Sequence, residues 1–599
     1  MKPNARYTEL EKAGALAARL VIDGFDEFNH AFLEVTRRAE ERFKTKDWLG
    51  GRRDAAERMD AYKRALNHVE LTLSEALGGR TKEQSLWIAA KKRFVDLAIG
   101  RPDVDRAETF FNSVTRRMLA TVGINREVEF FYLHPKAVIP LSNETSHRSY
   151  FRNSDTATVI RTLLEATPFS HVFEDIERDA ALVAQEIDLY LWPIVGASRS
   201  YVIDVVQAIF YRNTSAYIVG RISTDNRTIP LIIPFIHGSA GIRADAVLLH
   251  EADASILFSF AYSYFFVDVP RSDLLIHFLQ TVLPHAELSA LYTALGYNRH
   301  GKTEFYRDLH RYVHVSREQF DIAPGLEGAV MIAFTLPHFE FVFKVIKDRP
   351  CFLRSLSQTS KMISEQEVRD QYDFVSHRDR SGRMVDTQEF ENLRFKKKRF
   401  SERLLSEFTQ AASHNVAVTD DYVIIHRAYV QRKVVPLPLY FDVEKDPEAI
   451  RHILIDFGYF LKDIAASGVF PCDLFNTWNY GVTHWGRVVL YDYDDVLPIE
   501  QVRFREKPTP HNEIEETRAE EEWITASADE FFMDEIDRYS GIPKPLKGIF
   551  RTVHGDLYSI GFWNNLTARL KNGEVFDVIP YDRSKRFCER VLTSAHTQA

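Results

Sequence analysis

Cysteine is nearly missing from this chain. Cys351, Cys472 and Cys588 are the three in 599 residues, far apart and without a CxxC pair. That pattern excludes a zinc finger or ribbon and a disulfide framework, and so few thiols point to a reducing compartment. A long apolar run is missing too. The longest uncharged stretch, Ala254 to Val267 (ASILFSFAYSYFFV), is shorter than the roughly 20 residues a membrane helix takes. It is expected as a buried core element, and no membrane association is expected. The opening segment MKPNARYTELEKAGALAARL has no apolar signal core, so a cytoplasmic location is expected. Positive charge is not in excess: the formal net charge is −9. Nucleic-acid binding, which rests on Lys and Arg neutralising phosphates, is therefore not expected. The one dense basic run, Arg394 to Arg399 (RFKKKR), reads as a solvated helix face or loop. No repeat of fixed period occurs.

What is present is a soluble globular composition, 45% apolar and 27% charged, with 43 Phe and 25 Tyr that argue against long disorder. The length exceeds one ordinary hydrophobic core, so two large domains are expected. Their boundaries are read as 1–315, mainly helical with a small strand pair near 215–236, and 316–599. In the first 120 residues Phe25, Phe28, Phe32 and Val35 recur at three- and four-residue steps, with Glu34, Arg37 and Arg38 on the opposite face. Breaks fall at Gly78-Gly79 and Arg101-Pro102. Tyr217–Ile222 and Ile229–Ile236 read as paired strands around the polar turn Ser223 to Arg227. Helical patterns return from about 250 to 315.

The stretch Phe320 to Asp348 (FDIAPGLEGAVMIAFTLPHFEFVFKVIKD) parses as strand, Gly turn, strand from Ala329 to Thr335, tight turn, strand from Phe339 to Ile346. Lys344 sits inside the last apolar run, where an ammonium is costly without a negative partner. Ser364-Glu365-Gln366-Glu367 is a capping-box signature for a helix. From about 400 the pattern is mainly helical, interrupted by strand-like Tyr422–Ile425 and Val488–Tyr491. After Asp495 the chain is loop-rich, with an acidic run from Glu513 to Glu522.

ATP-dependent phosphoryl transfer needs backbone N–H groups and a cation at the phosphates, carboxylates for Mg²⁺, and a carboxylate for the acceptor's proton. Candidates for all four occur in the chain order that kinases use. The loop is Ala323-Pro324-Gly325-Leu326-Glu327-Gly328-Ala329, although GxxG alone is a weak signal that reads first as an ordinary hairpin turn. Lys344 follows one hairpin later, or is a snorkelling edge lysine. Asp492 and Asp494, with Asp495, close the apolar run from Arg487 to Tyr491, as a metal site or a solvated strand end. Asp473 lies nineteen positions before Asp492, as a catalytic acid or base or as a helix N-cap. His377-Arg378-Asp379 spells the kinase HRD but precedes most of the helical region and lacks an Asn five residues on, so it is set aside.

Several stretches resemble the isocitrate dehydrogenase kinase/phosphatase family. They are Gly24 to Thr36, Glu108 to Val114 (ETFFNSV), Phe210 to Ile222 (FYRNTSAYIVGRI), Ala252 to Phe266, Ala323 to Asp348, Gly382 to Asn392 (GRMVDTQEFEN) and Gly481 to Asp494. The resemblance spans nearly the whole chain. It implies an α+β fold, with an α-rich N-terminal regulatory domain followed by a bilobal protein-kinase-like domain. It implies a single site that phosphorylates a serine of isocitrate dehydrogenase and removes that phosphate, diverting carbon between the citric acid cycle and the glyoxylate bypass. Implied ligands are ATP and ADP, Mg²⁺, and AMP as allosteric effector. The implied partner is isocitrate dehydrogenase, with a homodimer as the form of any self-association. Position by position, Ala323 to Ala329 match the ATP loop, Lys344 the ATP lysine, Asp386 the phosphatase-linked aspartate, Asp473 the kinase acid or base, and Asp492 the metal aspartate.

One loop departs from the family pattern. The run Pro471-Cys472-Asp473-Leu474-Phe475-Asn476-Thr477-Trp478-Asn479 places Asn479 six residues after Asp473, one more than the family spacing, and lacks the loop lysine. In kinases that Asn binds the second Mg²⁺, and a shift near 1 Å costs about 10²-fold. Either a bulge absorbs the extra residue, or Asn479 is displaced and Asn476 substitutes. A catalytically weakened nucleotide-sensing or dehydrogenase-binding module is the alternative function.

Overall fold

The computed structural model describes residues 5–130, 146–151, 155–196, 201–258, 264–325, 328–353, 360–474, 476–506, 529–533 and 542–588. They form two compact units. The first comprises residues up to 315 together with those from Ile579 onward; the second is Ser316–Val578. The expected second domain of 316–599 thus ends early. Ile579–Cys588 belong to the first unit, where they reach Asp245, which is 1% exposed. Arg586 Nε donates to its Oδ2 at 2.9 Å and the Tyr581 hydroxyl at 2.6 Å.

In the first unit, the three- and four-residue apolar spacing becomes helix Ala5–Thr45, followed by Trp48–Leu77, Gln84–Ala98 and Val104–Leu119. Phe25, Phe32 and Val35 are buried, and Phe28 stacks on Phe110 at 6.1 Å. The Gly78 break is a C-cap at φ +54°, a conformation that favours glycine. The expected strand pair forms, Ser215–Ser223 against Thr228–His237 with Ile222 opposite Ile229. It is the middle of a six-stranded sheet that also holds His147–Phe151, Val202–Val206, Phe210–Arg212 and Ile242–Ala244. Of the apolar stretch Ala254 to Val267, residues 254–258 end helix Glu251–Phe258, and Ala254, Leu257 and Phe265 are buried; residues 259–263 lie outside the described set. Among the described residues no helix is long and apolar enough to cross a membrane.

The second unit opens with an antiparallel sheet in the order Thr387–Lys396, Tyr422–Arg432, Phe341–Ile346, Met331–Thr335, Asp321–Ile322, with Val416–Val418 also on Tyr422–Arg432. The turn before Phe341 is longer than expected, running through Glu340, and the Thr335 hydroxyl closes it by donating to the Phe341 carbonyl at 2.7 Å. Arg394 and Lys396 of the basic run lie in the strand at the end of this sheet, where exposed cations discourage further strand pairing. Lys397–Arg399 form a short 3₁₀ turn. Helix Glu365–Arg378 starts in the expected capping box and ends at His377-Arg378. The HRD triplet is thus a helix end, and Asp379 Oδ1 accepts from the Ser381 N–H at 2.9 Å.

After the sheet come helices Pro447–Ala466, Lys547–His554 and Ile560–Lys571, packed around Phe457, Phe460, Phe550 and Trp563. Two short strand pairs, Val469–Pro471 with Val496–Pro498 and Tyr480–Val482 with Val488–Leu490, sit against this helical core. The acidic run from Glu513 to Glu522 lies outside the described residues.

Candidate active site

Cross-strand pairing places Lys344 between Ala333 and Tyr429. Its neighbours Phe343 and Val345 are buried, and Lys344 itself is 6% exposed, so its charge requires a local partner. Nζ donates to the Tyr491 carbonyl at 2.9 Å and lies 3.6 Å from Asp492 Oδ1. The edge-lysine reading therefore fails: the strand is interior and the ammonium points to the carboxylate segment.

The glycine loop begins in the same row of the sheet, because the Ala323 N–H donates to the Ala333 carbonyl at 2.8 Å. Two glycines are explained by the backbone. Gly325 has φ +133°, and a Cβ at Gly328 would come within 2.6 Å of the Met331 carbonyl oxygen. Ala323, Pro324, Gly325, Gly328 and Ala329 thus join two neighbouring strands level with Lys344; Leu326 and Glu327 lie outside the described residues.

Strand Val488–Leu490 releases the chain as Tyr491-Asp492-Tyr493-Asp494, and the two tyrosines anchor it. The Tyr491 hydroxyl donates to the Trp478 carbonyl. The Tyr493 hydroxyl donates to the Val385 carbonyl and, at 3.3 Å, to that of Leu490. Tyr493 is fully buried against Tyr372 of helix Glu365–Arg378, ring centroids 5.2 Å apart. Burial first, then the Asp492 charge, pushes the Asp494 carboxyl far above its ordinary range, against the opposing pull of Lys344. Asp494 Oδ1 is buried with no hydrogen-bond partner.

Two crowded carboxylates, one with an idle buried oxygen, fit a hard divalent cation. Among the described residues no cluster of three or more His, Cys, Asp or Glu is poised for a metal.

The Asp473 loop is tied to the same segment. Pro471 pairs with Val496, and the Cys472 N–H donates to the Asp495 carbonyl at 2.9 Å. Asp473 follows directly, and its carbonyl accepts from the Asn476 N–H at 2.9 Å. The loop continues into a 3₁₀ turn, Thr477–Asn479. Asn476 caps that turn, its Oδ1 accepting from the Trp478 N–H at 3.2 Å, so the carboxamide oxygen is already in use. Asn479 stays beside the Tyr491–Asp494 segment, its carbonyl accepting from the Tyr491 N–H at 3.1 Å.

Asp386 arrives from a different direction. Met384 bridges Leu490 in parallel, so Asp386 and Asp492 each stand two residues beyond bridged partners. Desolvation pushes the Asp386 carboxyl up to about 6, and a 3.3 Å hydrogen bond from Gln388 Nε2 partly offsets it.

Sequence reasoning missed the carbonyl role of Tyr491 and the support from Tyr372 and Tyr493. It also missed Arg383, whose guanidinium is bound to Asp456 and Asp463. Only the aromatic–acid alternation at 491–494 carried a signal for any of these.

A strand lysine paired with an aspartate beyond a later strand, a loop aspartate beside that segment, and a sheet followed by a helical core define a protein-kinase-like catalytic domain. The family model "Isocitrate dehydrogenase kinase/phosphatase (AceK), regulatory domain" matches residues 18–317, and the one for the kinase domain matches 318–583. Three proteins named isocitrate dehydrogenase kinase/phosphatase are similar over almost their whole length. That of Anaeromyxobacter sp. (strain Fw109-5) is 38% identical over 97% of this chain and 99% of its own. That of Anaeromyxobacter dehalogenans (strain 2CP-C) is 36% identical over 96% and 99%. That of Polaromonas sp. (strain JS666 / ATCC BAA-500) is 33% identical over 96% and 93%. The chain belongs to the isocitrate dehydrogenase kinase/phosphatase family.

Proposed function

We propose that this chain transfers the γ-phosphoryl group of ATP to a serine of isocitrate dehydrogenase and hydrolyses the same phosphoserine. The observation that carries the reading is the Lys344–Asp492 contact of 3.6 Å, made by residues 148 positions apart whose spacing follows kinase order. In the forward reaction the serine oxygen bonds to the γ-phosphorus as the bond to the ADP oxygen breaks. Asp473 accepts the hydroxyl proton, and Lys344 holds the phosphates. Asp492, with Asp494 and Asn479, would hold Mg²⁺, which when bound neutralises phosphate charge. In the hydrolytic reaction water bonds to the phosphorus as its bond to the serine oxygen breaks, and that oxygen takes up a proton from solvent, giving serine and inorganic phosphate. Asp386, with its carboxyl near 6, takes the water's proton close to neutral pH.

ADP as support for hydrolysis, AMP as effector, a homodimer, a cytoplasmic location and control of flux between the citric acid cycle and the glyoxylate bypass belong to the same proposal. The weakened-module reading is not favoured, because the longer loop still ends with Asn479 bonded to Tyr491. Incubating the pure protein with γ-labelled ATP and isocitrate dehydrogenase tests the proposal. Label should enter the dehydrogenase and leave it on addition of ADP, and Asp473→Ala should stop entry while remaining folded. Absence of both reactions in the unmodified protein overturns it.

A further inference from the structure

The buried Arg383 guanidinium is used by none of the steps above, yet it is fully engaged. Its two Nη atoms grip both oxygens of Asp456, at 2.7 and 2.8 Å, and its Nε donates to Asp463 Oδ2 at 3.0 Å. Both carboxylates lie on helix Pro447–Ala466, one core element of the unit. Nη1 also donates to the Val488 carbonyl at 3.2 Å, and Asp456 Oδ2 accepts from the Val488 N–H at 2.7 Å.

Arg383 therefore joins three pieces of chain. Its own backbone carbonyl accepts from the Leu490 N–H at 2.7 Å, and the Leu490 carbonyl accepts from the Val385 N–H at 3.0 Å. Two residues beyond Met384 is Asp386, and two beyond Leu490 is Asp492. One ion cluster thus anchors the roots of both segments on the same helix. A planar, bidentate guanidinium is the group suited to this geometry, and lysine cannot reproduce it.

We propose that Arg383 is a positioning residue that registers Asp386 against Asp492, so that the transfer and hydrolysis machineries are held by one clamp. This rests on the functional reading above. It predicts that loosening the clamp impairs both reactions together, whereas each carboxylate it positions serves its own step.

The test uses the full chain carrying Arg383→Lys, with Asp463→Asn as a milder variant that removes one carboxylate charge. Leu566→Ala, a core change on helix Ile560–Lys571, serves as a control for lost stability. Transfer and hydrolysis are measured at saturating protein substrate, with melting temperature and with Mn²⁺ affinity in the presence of ATP. The expected result for Arg383→Lys is a fall in kcat of about 10²-fold, the cost of a displacement near 1 Å, equal in both directions. KM for the dehydrogenase should stay unchanged and Mn²⁺ binding should weaken. Asp463→Asn should show the same pattern more weakly.

Three results overturn the proposal: a folded Arg383→Lys with unaltered rates and Mn²⁺ affinity, loss of one reaction alone, or the same losses in Leu566→Ala at a matched melting temperature. If Arg383→Lys does not fold, Asp463→Asn decides by the same criteria. If the unmodified chain shows neither reaction, the functional reading fails, and unchanged or weakened Mn²⁺ binding in the variants still judges the clamp.

Discussion

Each unit of this protein buries a cluster of charges, and the two clusters are balanced differently. In the first unit Asp105, Glu108 and Glu304 lie among Arg106, Arg307 and His300. Arg307 sits 2.5 Å from Glu304 and 3.6 Å from Glu108, and His300 lies 3.5 Å from both Asp105 and Glu304. Burial pushes the Glu108 carboxyl up to about 8 against the pull of Arg307, so it is largely neutral at pH 7. Two carboxylates then face two guanidinium groups, and the account closes. In the second unit a single ammonium, Lys344, faces Asp492 and Asp494, and Asp386 and Asp473 stand on neighbouring segments. Lys344 is one cation for two carboxyls where the first cluster has two guanidinium groups for three, and burial first, then the Asp492 charge, lifts the Asp494 carboxyl far above its range. The first cluster, closed, joins two helices; the second, open, joins a strand lysine to the acids beyond a later strand.

The sharpest way to break this contrast is to remove one carboxylate from the open cluster. Asp492→Asn should lower phosphoryl transfer on the order of 10³-fold, the scale of removing a preorganised electrostatic group. The melting temperature should hold or rise, because like-charge crowding at Asp494 is relieved. A clear loss of stability would place this cluster with the closed one.

The converse change belongs to the first unit. Arg307→Ala should strand the Glu304 charge and destabilise by about 3–5 kcal/mol, read by urea unfolding. Little change there would mean that the cluster is not closed.

Asp386 gives a smaller, pH-dependent effect. Its folded carboxyl, near 6, lies above the reference 3.8, so folding favours the protonated form. The resulting stabilisation is complete below the unfolded value and disappears as pH rises through about 6. Asp386→Asn has no such loss. Its stability relative to the unmodified chain should grow between pH 4 and 7, by up to about 3 kcal/mol. A flat difference in melting temperature across that range would mean that the carboxyl is not desolvated.

Ser364→Ala should cost about 1 kcal/mol in urea unfolding through its capping box on helix Glu365–Arg378 and leave the Lys344–Asp492 contact untouched.

Much of the site was legible because it breaks local rules. A lysine inside an apolar run demands a partner, and acids after an apolar strand stand where a sheet ends. The capping box and the strand pair around Ser223 to Arg227 are local patterns, readable without a partner segment. Asp386 was legible through family resemblance alone, since its segment is brought to strand Val488–Leu490 by the Met384–Leu490 bridge. Arg383 gave no signal: its partners lie 73 and 80 positions away, and nothing in GRMVD separates a buried clamp from a surface arginine. The HRD triplet shows the opposite failure, a familiar spelling that the backbone uses to end a helix.

The sequence by itself determined the helical first stretch, the hairpin that carries Lys344 and the acids that follow Leu490, because those depend on periodicity and on neighbours a few residues away. Only the tertiary structure decided that the Asp473 loop runs into a 3₁₀ turn, that Tyr581 and Arg586 return to Asp245, and that Met384 bridges Leu490. These are choices among long-range pairings, settled by which buried charges and backbone groups find partners once the core is closed.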